Sequence, residues 1–200
     1  MPALISWWRQ DLADLIPFAL DDAVQAAGTD LLRRWAEPQR HYHRTTHLVE
    51  LFWALEELED GDDLDPRDAL LGRVAGWFHD AVYLPLAAAG ANEADSARLA
   101  VSTLGDLGAD ADDTSRIERL VHLSATHDGD ALTPLDRAFL DADLWILSAD
   151  PDRFDDYCEQ VRQEYAAVPD AAYRAARAEV LRGFVQRPRL YLTDFAAAQW

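Results

Sequence analysis

The sequence predicts an all-α protein folded as one helical bundle. Three observations support this. Alternating apolar–polar runs bounded by hairpin turns are absent. Apolar residues recur at helical spacing through most of the chain. Proline, glycine and capping residues punctuate those runs where helices begin and end.

The first helix is marked by Trp8, Leu12, Leu15, Ile16, Ala19 and Leu20, with Pro17 bending or splitting it. A short second helix carries Leu31, Leu32 and Trp35 and stops before Pro38. The third follows Arg40-His41-Tyr42-His43-Arg44-Thr45-Thr46-His47 and continues through Leu48, Leu51, Phe52 and Leu55. After an acidic turn at 61–65, Pro66 occupies a first-turn position of the helix ending in Trp77-Phe78-His79-Asp80. A loop spans 82–90, and Asn92 is placed to cap the next helix, with Gly105 and Gly108 near its end. Ile117, Leu120, Val121 and Leu123 mark a further helix running toward Thr126-His127-Asp128. Thr133-Pro134-Leu135-Asp136 opens the helix bearing Asp141 and Asp143. Two more, about 151–166 and 170–186, precede a short tail. Neither an internal repeat nor a composition shift divides residues 1–200, so one domain is expected, with its core about 30–150 and C-terminal helices about 150–190.

Half of the 200 residues are apolar, enough for a sizeable core. The formal charge is −19, and all 18 basic residues are Arg. So acidic a field repels nucleic acid and anionic membrane, and neither is expected as a partner. The single Cys158 excludes an intramolecular disulfide and fits a reducing, cytoplasmic setting. No signal peptide or membrane span is evident. Seven Trp leave room for a helix-mediated homodimer.

Chemistry is concentrated in a few stretches. His79 and Asp80 close an apolar helix, where a carboxylate is costly unless paired or metal-bound. They lie about 100° apart around a helix, so both reach one ion only if the helix ends there. His43 and His47 are four apart and share a face if both are helical. Asp143 lies on the stripe formed by Leu140, Leu144 and Leu147, so of the two nearby carboxylates it most needs a partner, with Asp141 to one side. Imidazole and carboxylate together suit a divalent first-row metal. Glu93 is an acid/base candidate, or equally a first-turn Glu facing the helix dipole. Arg33, Arg34, Arg40 and Arg44 form a local basic patch beside the first His cluster. Arg40 and Arg44 are the best placed to grip phosphate.

In order and flanking context, His47, His79-Asp80 and Asp143 resemble the His…His-Asp…Asp series of the HD-domain metal-dependent phosphohydrolases. The stretches 40–47, 77–83, 92–97 and 139–144 are similar to a small bacterial branch of predicted hydrolases, and 162–165 and 189–193 to its C-terminal portion. The resemblance covers roughly residues 7–195. It implies an HD-type bundle with one divalent ion (Mn, Co, Ni, Fe, Zn or Mg) on His47, His79, Asp80 and Asp143. It also implies a phosphohydrolase acting on a nucleotide or other small phosphate ester. Asp80 and Glu93 are then the catalytic candidates, and Arg40, His43, Arg44 and His127 the candidates for holding phosphate. The loop 84–90 departs from the resemblance, being less polar than expected, so access to the site is expected to differ. Arg162 and Arg177 fall at recurring positions whose role stays open. Two alternatives remain: a dinuclear iron oxygenase drawing on His122 and His127, and a nucleotide-sensing protein without turnover.

Overall fold

The computed structural model describes residues 2–61, 63–129 and 131–200. Among them there are ten α-helices, one short 3₁₀ turn and no strand. The helices are α1 (Pro2–Leu15), α2 (Asp21–Trp35), α3 (Thr45–Asp60), α4 (Pro66–His79) and α5 (Ala91–Leu107). There follow α6 (Ala111–Leu123), α7 (Pro134–Asp143), the 3₁₀ turn Trp145–Ser148, α8 (Pro151–Glu164), α9 (Asp170–Val185) and α10 (Asp194–Gln199). No helix of the described residues is long and apolar enough to cross a membrane.

Where capping chemistry is strong, the helices start as the sequence predicts. Asp65 caps α4 by accepting from the Arg67 and Asp68 amides, with Pro66 in the first turn. Thr133 and Asp136 form a reciprocal capping box on α7. Three expectations are corrected. The second helix is not short: α2 begins at Asp21, with Asp21 and Asp22 in its first turn and Arg33 and Arg34 in its last, both matching the helix dipole. Asn92 does not cap α5. Gly90 does, at φ 75°, while the Asn92 amide accepts from Leu84 N–H and donates to Leu84 C=O, closing the loop on itself. His43 and His47 do not share a helical face, because α3 begins only at Thr45.

The main apolar interior gathers wholly buried residues from α1 to α7, including Trp8, Leu12, Trp35, Leu51, Trp77 and Phe139. It takes in α1 through Leu4, Trp8 and Leu12. Trp8 packs edge-on against Trp77 and Phe78, at 5.5 and 6.0 Å between ring centroids. Its indole N–H donates to Val24 C=O at 2.7 Å. The Trp35 indole donates to Trp77 C=O at 2.9 Å and so fixes the end of α4, two residues before His79. Helices α3 and α4 approach closely because Gly76 faces Leu51 and Phe52. A Cβ there would stand 2.8 Å from Leu51 Cδ2 and 3.0 Å from Phe52 Cε1. A smaller cluster of Tyr42, Ile146, Tyr157 and Val161 joins α8 to the turn before α3.

The tail also acts on α7. Asp141 is buried and accepts from the amides of Leu192 and Thr193 at 2.7–2.9 Å. Tyr191 donates to Leu144 C=O. These bonds clamp the chain on both sides of Asp143. They also correct one point of the sequence reading: Asp141, expected to one side, is itself buried and already satisfied by backbone.

Candidate metal centre

Two helix ends and one helix start meet in a single place. His47 lies in the first turn of α3, His79 is the last residue of α4, Asp80 is its C-cap, and Asp143 ends α7. His47 Nε2 and His79 Nε2 stand 3.1 Å apart. Asp80 Oδ2 lies 3.7 Å from the first and 3.2 Å from the second. Asp143 Oδ1 lies 3.2 and 3.4 Å from the same two nitrogens. Donor atoms at about 2.0–2.2 Å from one four- to six-coordinate ion are separated by about 2.8–3.6 Å. The measured distances fall almost entirely in that range. The three groups His47, His79 and Asp80 are all buried, with ligand atoms within 4.8 Å of one another, a cluster that can hold a metal ion.

The tautomers suit the same purpose. His79 Nδ1 is 2.8 Å from Gly76 C=O, which can only accept. That nitrogen therefore carries the proton, and Nε2 presents its lone pair to the cluster. His47 Nδ1 is held by the Tyr42 hydroxyl at 3.1 Å. His79 Nε2 then faces another imidazole nitrogen and two carboxylate oxygens, so a cation, either a proton or a metal, must stand among them. The protein's own charges agree. Burial opposes the charged ring of His79, but Asp80 and Asp143 beside it hold its pKa well above the usual value. Burial likewise opposes ionisation of Asp80 and Asp143, yet the His79 charge and the histidine hydrogen bonds keep both well below the usual carboxylate range.

Surrounding groups fix these ligands. His127 Nε2 bonds Asp143 Oδ2 at 2.8 Å. Arg187 holds the His127 end of the turn by donating to the carbonyls of Thr126 and His127. Glu164 is the residue that sequence reasoning missed. One of its oxygens accepts from the amides of His41, Tyr42 and His43 at 2.8–2.9 Å. The other accepts from His43 Nδ1 at 2.7 Å and the Tyr83 hydroxyl at 2.8 Å. Although burial raises the Glu164 pKa, the His43 hydrogen bond and charge and the backbone amides bring it down to about 2. His43 is in turn pushed up by Asp80 and Glu164 against its burial. The only sequence signal was that Arg162-Gln163-Glu164-Tyr165 stood out as a stretch. Nothing local distinguished Glu164 from 36 other acidic residues.

The centre opens into a cavity of about 550 Å³, lined in part by His43, His47, Asp80, Glu93, His127 and Asp143. Two expected phosphate ligands are elsewhere. Arg40 is buried and donates to the carbonyls of His43, Asp80 and Ala81, with Glu37 beside it. A guanidinium spent on three carbonyls is a clamp on the backbone at Asp80, and Arg40 does not line the cavity. Arg44 is exposed at the N-cap of α3 and does not line the cavity. His122 is exposed on α6 and also lies outside the lining, which removes one of the two extra ligands that a dinuclear centre was expected to use. Arg162 is spent on the carbonyls of Tyr165 and Val168. Arg177, by contrast, lines the cavity. No protein-family profile, curated protein or solved structure matches the chain. What stands is a helical fold with a His-His-Asp cluster of the kind that fits an HD-type site.

Proposed function

We propose that the protein is an HD-type metal-dependent phosphohydrolase with one divalent ion on His47, His79, Asp80 and Asp143, acting on a small phosphate ester. The observation that carries this is the convergence of two imidazole nitrogens and two carboxylate oxygens at 3.1–3.7 Å on the wall of an open cavity. Two nitrogen and two oxygen donors suit Mn, Fe, Co, Ni or Zn better than an all-oxygen site would. When bound, such an ion supplies Lewis-acid polarisation of a phosphoryl oxygen and a water acidified to near neutrality.

The chain's own residues supply the rest. Asp80 and Asp143 stay ionised in the cluster and hold the ion's charge. Tyr42 and Gly76 orient the two imidazoles. Glu93 lines the cavity without belonging to the ligand set, so it is free to accept a proton from water. Hydrolysis adds water across the ester: the water oxygen bonds to phosphorus, and the ester oxygen leaves as an alcohol with one proton. His127, bonded to Asp143 and facing the cavity, is placed to steady the phosphoryl group or hand over that proton.

The test is elemental analysis of protein purified without added metal, followed by a panel of phosphate esters with Mn, Co, Ni and Mg. The proposal expects one ion per chain and metal-dependent turnover, reduced by orders of magnitude in His79→Ala and Asp80→Ala. Metal-loaded protein that turns over no ester would replace this reading with a ligand sensor.

A further inference from the structure

From the cavity wall we infer that the substrate is a phosphomonoester with an apolar body, and that Arg177 on α9 receives its phosphate together with the metal centre. This rests on the phosphohydrolase reading and names the substrate class for that site.

Charge comes first. Three carboxylates line the cavity, those of Asp80, Glu93 and Asp143. Among the described residues Arg177 is the one arginine that lines it. In a chain of charge −19, that cation is placed where an anion would otherwise be repelled. Its partner is neutral: it donates to the Tyr157 hydroxyl, and its guanidinium carbon lies 5.1 Å from the centroid of that ring. No carboxylate pairs with it among the described residues, whereas Arg119 and Arg153 are each held by one. A guanidinium has five N–H donors, so the Tyr157 bond leaves donors for an oxyanion. Tyr157 packs at 4.6 Å on Tyr42, and Tyr42 at 4.8 Å on His47, so Arg177 belongs to the same wall as the metal ligands.

Much of the remaining wall is apolar, with Asn92, Ser124 and Thr126 among its polar members. Leu84, Pro85, Ile146, Val161, Val180 and Phe184 line the cavity. Leu84, in the loop after α4, is 60 % exposed, and Val180, on α9, is 48 % exposed. A phosphomonoester carries about −1.5 to −2 charges at pH 7, which one divalent ion and one arginine can balance. A triphosphate would bring further negative charge into a space that already holds three carboxylates. Apolar lining with a few convergent polar groups suits a ligand with an apolar body.

Isothermal titration of the manganese-loaded full chain with phenylphosphonate and methylphosphonate separates the two claims from catalysis, because neither compound is hydrolysed. Phenylphosphonate should bind about ten-fold tighter or more than methylphosphonate. Arg177→Met should weaken both by about ten- to a hundred-fold with unchanged metal content, and Arg177→Lys should recover part of the loss. Val180→Ser should weaken only the phenyl compound. None of the α9 residues is buried, so these variants are expected to fold, and their melting temperatures check it. If Arg177 only ties α9 to α8, Tyr157→Phe and Arg177→Met should both lower the melting temperature while phosphonate affinity stays put; that result overturns the inference. Equal binding of the two phosphonates overturns the apolar-body claim. Intact selective binding with no turnover of phenyl phosphate would instead refute the phosphohydrolase reading and leave the recognition claim standing.

Discussion

Replacing Glu164 by Gln tests whether a single carboxylate organises the loop behind the metal centre. Its side chain is wholly buried and accepts five hydrogen bonds, three from consecutive amides and two from His43 and Tyr83. Gln keeps the shape but turns one oxygen into a donor facing other donors. The magnitude follows from the titration of the native group. Its pKa falls from 4.5 in the unfolded chain to about 2 in the fold, which corresponds to about 3 kcal/mol at neutral pH. Because the folded value is the lower one, this contribution is complete above about pH 4.5. It is lost as pH falls through that value toward 2, with about 1.5 kcal/mol left at pH 3. Glu164→Gln should therefore cost about 3 kcal/mol at pH 7, a drop of about 6–12 °C in melting temperature for a domain of this size. The gap between parent and variant in urea denaturation should narrow steadily from pH 5 to pH 3. Metal affinity should fall as well, by about 10- to 100-fold, because Tyr42, which holds His47 Nδ1, sits in the loop that Glu164 fixes. A gap that stays constant with pH, or a variant as stable as the parent at pH 7, would refute the reasoning.

Asp143→Ala should lower metal occupancy in elemental analysis at matched total metal while leaving helix content by circular dichroism unchanged. Arg40→Ala should act on stability, because it strands three carbonyls in the interior; about 3 kcal/mol is expected in chemical denaturation. Arg44→Ala, at an exposed site, should change neither stability beyond about 0.5 kcal/mol nor the KM for any ester turned over. Gly76→Ala should destabilise by about 1–2 kcal/mol, since its Cβ meets Leu51 and Phe52 and overpacking outweighs the gain in helix propensity. Metal binding should weaken with it, because α3 and α4 carry His47 and His79.

The elements that the sequence determined are those governed by short-range physics. The Asp65-Pro66 and Thr133-Pro134…Asp136 starts follow from capping and from proline's missing N–H. They depend on neighbours within four residues and are legible without a fold. Chemical type was equally legible. Buried imidazole beside carboxylate at a helix end already argues for a cation, and the four groups so chosen come together. Roles that depend on direction were decided only by tertiary structure. Arg40 and Arg177 are the same residue type, yet one is turned inward onto the carbonyls of His43, Asp80 and Ala81 while the other faces the cavity. Asp141 and Asp143 are two residues apart, yet one is claimed by the amides of Leu192 and Thr193 and the other meets His47 and His79. Glu164 acquires its partners from residues about 120 positions away. A side chain's partner at such separation is set by how helices pack. Packing is the summed outcome of many weak apolar contacts, and no single stretch of sequence carries that sum.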